Sequence, residues 1–231
     1  MDFSRRGDRK VNALRPLNVN LDGLARVDGS ARFGFGGSLA LASVSGPIEV
    51  RLAAEHPSLS TFEVLIRPLS NVPATQSKSL GATVRAALIP SLILSQNPRT
   101  LIQLVIQALS PARPNFQNGL VSAMINASTL ALLNAGSIPM KGVVCAVAVG
   151  KINSSLAVDP SDDEERALEA SGCFAFLFGN GPDDSRCVWT NWKSSGSFDE
   201  AELSNAKKLA SVRLNLFGYT FKQSWLARPR K

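Results

Sequence analysis

The stretch from Arg99 to Gly150 limits the possible folds more than any other part of the chain. It opens on an apolar run, residues 101–109, reading Leu-Ile-Gln-Leu-Val-Ile-Gln-Ala-Leu, and passes through a Pro- and Asn-containing loop at 110–118. From Gly119 to Asn134, Leu120, Met124, Ala127, Ala131 and Leu132 recur at three- and four-residue steps, the period of an α-helix. Ser122, Ala123, Asn126 and Ser128 between them are small or weakly polar, so this helix can be enclosed on nearly every side. Gly136 stands where a helix ends in a left-handed residue, and Pro139 supports the stop. Residues 142–150, Gly-Val-Val-Cys-Ala-Val-Ala-Val-Gly, follow as a second buried strand. A buried helix between two apolar strands is the centre of a domain.

The remaining segments are arranged around that unit. Residues 1–16 read as a disordered or extended tail. Residues 17–25 alternate apolar and polar, Asp28-Gly29-Ser30 turns, and Ala31–Gly36 is the next strand. Gly46-Pro47 between Leu39–Ser45 and Ile48–Leu52 predicts a hairpin, and Thr61–Arg67 a further strand, in a mainly antiparallel sheet. Ser77–Ser95 predicts a helix disturbed at Pro90. Ile152–Val158 is expected as an edge strand and Cys173–Phe178 with Arg186–Trp192 as a hairpin, either of which offers an apolar edge to a neighbour. Ser197 and Glu200 form a capping-box pattern before a stripe of Leu203, Ala206, Ala210, Leu214, Phe217 and Phe221. The order is that of an α+β chain with one domain, residues 17–222, and a basic tail, residues 223–231.

Charge is unevenly placed. The net charge is +7, yet no carboxylate occurs between Glu63 and Asp159, an interval holding Arg67, Lys78, Arg85, Arg99, Arg113 and Lys141, with Lys151 inside its far end. Such a centre suits a polyanion such as RNA or an acidic subunit. The acids gather instead in residues 159–169, for which a solvated loop is preferred over a divalent-metal site. Cys145, Cys173 and Cys187 lack metal or disulfide spacing and read as buried thiols, and His56, the only histidine, as a surface residue. No run is long enough to span a membrane and the start has no apolar signal core, so an intracellular protein is expected.

Four strings carry a resemblance to a known family: residues 17–31 (Leu-Asn-Val-Asn-Leu-Asp-Gly-Leu-Ala-Arg-Val-Asp-Gly-Ser-Ala), Gly81-Ala-Thr-Val-Arg85, residues 118–127 (Asn-Gly-Leu-Val-Ser-Ala-Met-Ile-Asn-Ala) and residues 142–150. In their order and spacing, from about Leu17 to Phe221, the chain resembles the RNase PH family. The turn at residues 28–31 and the Val158-Asp159-Pro160 step look like the branch formed by ring subunits of the eukaryotic RNA exosome. This implies an RNase PH-like fold of the ribosomal protein S5 domain 2-like type, with mixed sheets packed against helices. It further implies assembly with other RNase PH-like ring subunits, S1/KH cap subunits and a hydrolytic exoribonuclease subunit around single-stranded RNA. The expected locations are nucleus, nucleolus and cytoplasm, with no membrane partner.

Active members of the family cleave RNA by attack of phosphate, which needs cations and hydroxyls to hold the anion. The family's phosphate-binding Gly-Gly-Thr-Arg falls on Asn118-Gly119-Leu120-Val121, which offers neither. Its Gly-Arg-Ser-Leu-Arg falls on residues 81–85, leaving Ala82 for the first Arg and keeping Arg85. Its paired acids fall on Asp159 and Glu165. The expectation is therefore a subunit without catalysis, cofactor or metal, supporting 3′–5′ RNA processing and degradation, including that of ribosomal RNA. Lys78, Arg85, Arg113 and Lys151 are the candidate RNA contacts. An active phosphorolytic or metal-dependent nuclease using the acidic segment is the alternative, and an interaction domain unrelated to RNA a third reading.

Overall fold

The computed structural model describes residue 5 and residues 9–21, 23–70, 72–111, 118–161, 163–179, 184–196 and 199–226, with the side chains of residues 165, 166 and 216–226 outside the description. Its strands are β1 (Leu17–Asn20), β2 (Gly29–Phe35), β3 (Ser38–Glu49), β4 (Thr61–Arg67), β5 (Thr100–Ala108), β6 (Val143–Ile152), β7 (Ser155–Val158), β8 (Ala170–Phe178), β9 (Ser185–Thr190) and β10 (Lys193–Ser194); its helices are α1 (Thr75–Leu88), α2 (Asn118–Ala135) and α3 (Glu200–Leu226).

The strands that flank α2 in sequence lie in different sheets. β5 belongs to a sheet ordered β1-β2-β3-β5-β4, whereas β6 belongs to one ordered β10-β8-β6-β7, with β9 also on β8. The helix lies between them, touching β2 and β3 on one side and β6 and β8 on the other. This is why its sequence has no polar face: every residue from Gly119 to Leu133 is buried. Each large apolar side chain so enclosed contributes roughly 1.5–3 kcal/mol relative to exposure. Polar members of the helix are satisfied internally. Asn126 bridges to β6 in the manner of a main-chain pair, its Nδ2 donating to the Ala146 carbonyl and its Oδ1 accepting from the Ala146 amide, each at 2.8 Å.

Several expectations change. Gly46-Pro47 does not turn the chain back, because β3 runs through it as one strand with a bulge between Ser45 and Ile48. The Gly46 amide donates to Asp28 Oδ2 (2.8 Å) and its carbonyl accepts from Ser137 Oγ (2.7 Å), so side chains satisfy the groups that leave the ladder. β4 lies parallel to β5, not antiparallel. Helix α1 stops at Leu88 and Ile89–Ser91 forms a 3-10 turn, the local unwinding expected of Pro90. In α3 the predicted stripe is buried at Ala206, Ala210 and Leu214 and packs on β6, β7 and β8, while Ser197 and the side chains of Phe217 and Phe221 lie outside the description.

Candidate functional site

The resemblance places the family's phosphate-binding segment on the first turn of α2. Its Leu120 and Val121 side chains are buried in the core and present no donor. Beneath Gly119 lies a guanidinium: a Cβ on this glycine would stand 3.2 Å from Arg15 Nη2 and 3.4 Å from Ser38 Oγ. That cation is already neutralised. Arg15 donates through Nη2 to Asp159 Oδ1 (2.7 Å), through Nε to Oδ2 (2.9 Å) and through its own amide to Oδ2 (2.8 Å), and Asp159 is fully buried.

The chain folds this way because β7 ends at Val158 and Asp159 takes a positive φ of 51°, a conformation that Asp tolerates better than most residues. The turn aims the carboxylate inward and lets the Asp159 amide donate to the Ala148 carbonyl at 2.8 Å.

A second carboxylate is consumed next to the first. The fully buried Arg5 side chain donates to Glu164 Oε1 (3.1 Å) and Oε2 (2.9 Å) and to the carbonyls of Val11, Val158 and Asp159. Arg9 donates to Glu164 Oε2 at 3.0 Å and to the Asp159 carbonyl at 3.1 Å. Burial alone would raise the Glu164 pKa, but hydrogen bonds from Arg5 and the Ser161 amide, with the charges of Arg5 and Arg9, outweigh it and hold the group at about 2. The Arg9 pKa is lowered, by burial first and then by the charge of Arg5.

The acidic segment is therefore a solvated loop only in part: Asp163 and Glu169 are exposed, as its composition suggests, but two of its acids are not. Asp159 and Glu164 are buried, paired structural ions, and the Glu165 side chain lies outside the description. Among the described residues no three His, Cys, Asp or Glu side chains come together as metal ligands. The described part of residues 1–16 has no regular secondary structure but sends three arginines into the fold.

The flank of α2 facing β8 is lined by neutral groups. Asn118 Nδ2 donates to Ser171 Oγ (2.9 Å), Asn191 Nδ2 donates to Asn118 Oδ1 (2.9 Å), and the Cys173 amide donates to Asn191 Oδ1 (2.7 Å). A hydroxyl and two amides supply neither a cation for phosphate nor a carboxylate for proton transfer or metal. Ser171, Asn191 and the N-terminal arginines escape a reading of the sequence because their partners lie far along the chain.

Among the described residues the candidate RNA contacts Lys78, Arg85 and Lys151 are not gathered into one site. Lys78 and Arg85 are exposed two turns apart on α1. Arg85 Nε donates to the Phe62 carbonyl of β4 at 2.9 Å, and with the exposed Ala82 it lines a groove of about 680 Å³ whose rim also carries Glu49, Glu63 and Arg51. Lys151 is in the other sheet, where its Nζ binds Glu202 Oε2 at 2.7 Å, the hydrogen bond that chiefly raises its pKa. Arg113 lies outside the described residues. Cys145 and Cys173 are buried thiols, with Cys145 pushed up by burial to about 12, and His56 is exposed.

Known proteins match this arrangement along nearly its whole length. Residues 13–137 match domain 1 of the 3′ exoribonuclease family and residues 142–213 match its domain 2. The chain belongs to this family, that of RNase PH. The family's division falls in the turn after α2, so that each half contributes one of the two sheets. Among relatives, the Saccharomyces cerevisiae exosome complex component RRP46 is 31% identical over 194 residues, covering 82% of this chain and 86% of that one. The Archaeoglobus fulgidus exosome complex component Rrp41 is 30% identical over 194 residues, covering 80% of this chain and 73% of the other. The crystal structure of rice (Oryza sativa) Rrp46 superposes with a TM-score of 0.80 over 96% of this chain and 99% of that one, at 22% identity, and supports the fold alone.

Proposed function

We propose that the chain is a non-catalytic ring subunit of an RNA exosome, supporting 3′–5′ RNA processing and degradation by assembling the ring and lining the path of single-stranded RNA. The observation that carries this reading is the state of the α2 start: two buried aliphatic side chains where phosphate would bind, and beside them, among the described residues, the Arg15 guanidinium already held by Asp159 along its Nε–Nη2 edge. Removing one charged donor from an electrostatic site typically costs a hundredfold or more in rate, and here Leu120 and Val121 offer no donor while the nearby Arg15 is engaged by Asp159. The names of the yeast and archaeal relatives, both exosome components, support the ring assignment.

RNA contact then rests on the candidate cations Lys78, Arg85, Arg113 and Lys151, of which Lys78 and Arg85 are the exposed ones among the described residues. Binding of that kind is non-specific and weakens steeply with salt. Partnership with cap and hydrolytic subunits, and residence in nucleus, nucleolus and cytoplasm, belong to the same proposal.

The deciding experiment incubates the purified chain with 3′-labelled RNA, with and without phosphate and magnesium. Unchanged label over hours is the expected result. Phosphate-dependent release of nucleoside diphosphate, or magnesium-dependent hydrolysis, would establish the active nuclease instead.

A further inference from the structure

The two sheets have four outer edges, and three of them are covered, partly occupied or broken at described residues. The β4 edge is covered by α1: Arg85 Nε donates to the Phe62 carbonyl at 2.9 Å, and Gly81 lets the helix approach so closely that a Cβ there would stand 3.1 Å from the Val64 carbonyl. The β7 edge is taken at Val158, whose amide donates to the Val11 carbonyl at 3.1 Å and whose carbonyl accepts from Arg5 at 3.0 Å. On the remaining side of the second sheet the edge is broken into the short β9 and β10. It is bulged where Ala175 faces Trp189 but Phe176 faces Cys187, and it carries the exposed charges of Arg186 and Lys193. Covering, bulging and charging are the three ways by which edges avoid pairing with another chain.

β1 has none of these among the described residues. All four of its residues, Leu-Asn-Val-Asn, are exposed and uncharged, with Leu17 at 44% and Val19 at 45%. The direction of its free groups follows from the ladder. The Gly36 amide donates to the Pro16 carbonyl at 2.9 Å, and the register pairs Leu17 with Phe35 and Asn18 with Gly34. Hydrogen-bonded pairs alternate along an antiparallel ladder, so Asn18 and Asn20 face β2 while the N–H and C=O of Leu17 and Val19 point outward.

We propose that β1 is a strand-addition site, where an extended segment of a neighbouring ring subunit pairs with Leu17 and Val19 and continues the first sheet. The partner rests on the exosome reading above. Main-chain complementarity requires an extended strand, and the uncharged edge selects an apolar-polar alternating one. The chain's net charge of +7 opposes pairing with a second copy and favours a subunit with acidic residues beside its strand.

Val19→Pro is the discriminating variant, since it removes one outward N–H and leaves the β1–β2 ladder intact. Co-expressed with the other ring subunits, the wild-type chain should be recovered in a ring, and the variant should lose about tenfold or more of that recovery. Circular dichroism and the thermal midpoint should show the variant folded. Hydrogen exchange on the wild-type complex gives an independent readout, with the Leu17 and Val19 amides slowing on assembly. Val19→Pro entering the ring as the wild type does, or unchanged exchange at both amides, overturns the proposal. A wild-type homodimer that Val19→Pro abolishes overturns the choice of partner. Failure of the wild type to enter any ring defeats the exosome reading itself, and is seen without the variant.

Discussion

Arg15 and Asp159, 144 residues apart in sequence, meet as a bidentate ion pair, with the first turn of α2 resting on the guanidinium. A pair of this kind is weak evidence of net stabilisation, but breaking it leaves a buried charge with no partner. Asp159→Asn keeps the side-chain shape and the tolerance for positive φ while removing the charge, and is expected to cost about 3–5 kcal/mol. Arg15→Met with Asp159→Asn should cost less than the sum of the two single changes. Urea unfolding of the four proteins in a double-mutant cycle measures the coupling, and simple additivity would show that the pair does not act as one unit.

Glu164 couples the same region to pH. Its pKa in the fold is about 2, below the ordinary 4.5, because Arg5, Arg9 and the Ser161 amide outweigh the effect of burial. A depressed carboxylate stabilises the fold fully above its unfolded pKa and loses that contribution as pH falls through its folded one. The affected window is therefore 4.5 down to 2, and the amount roughly 2–3 kcal/mol. Glu164→Gln should be less stable than the wild type at neutral pH and should show a shallower fall in thermal midpoint across that window. Parallel slopes for the two proteins would contradict the assignment.

The difference between what the residues announced and what the fold did with them is a matter of range. Helix α2, the strands around it and the unwinding at Pro90 were legible because periodicity and turn chemistry act over a few residues. That the start of α2 presents no polar side chain at Leu120 and Val121 was legible once the family resemblance aligned them. The basic start and the acidic segment were each visible as compositions, but nothing local says that Arg5, Arg9 and Arg15 return to meet Asp159 and Glu164. Gly46-Pro47 misled for a related reason: the strongest local turn signal in the first half was overridden by the pairing of β3 with β5 on both sides of it.

Asn126 makes the clearest packing prediction. Its amide pairs with both main-chain groups of Ala146, joining the middle layer to the second sheet where everything around is apolar. Asn126→Leu is similar in volume but leaves the Ala146 N–H and C=O buried without partners on that side. At about 1–3 kcal/mol for each group so stranded, the loss should be several kcal/mol. Chemical denaturation measures it, and a change below about 1 kcal/mol would mean that the strand recovers its bonds elsewhere.

The state of the α2 start can be tested without any assay of catalysis. A ligand that binds only the folded state raises its stability in proportion to RT ln(1 + [L]/Kd), so a working phosphate site would show as a concentration-dependent rise in thermal midpoint. With Leu120 and Val121 turned into the core and Arg15 bound by Asp159, the expected midpoint is the same in phosphate as in chloride of equal ionic strength. Crystals soaked in tungstate should correspondingly show no oxyanion beside these residues. The comparison at fixed ionic strength matters because a chain of net charge +7 gains from any anion by screening alone. A rise specific to phosphate, or tungstate seated at Gly119, would mean that the main-chain amides of the first turn hold an anion without a side-chain cation, and the scaffold reading would give way to one with a functional anion site.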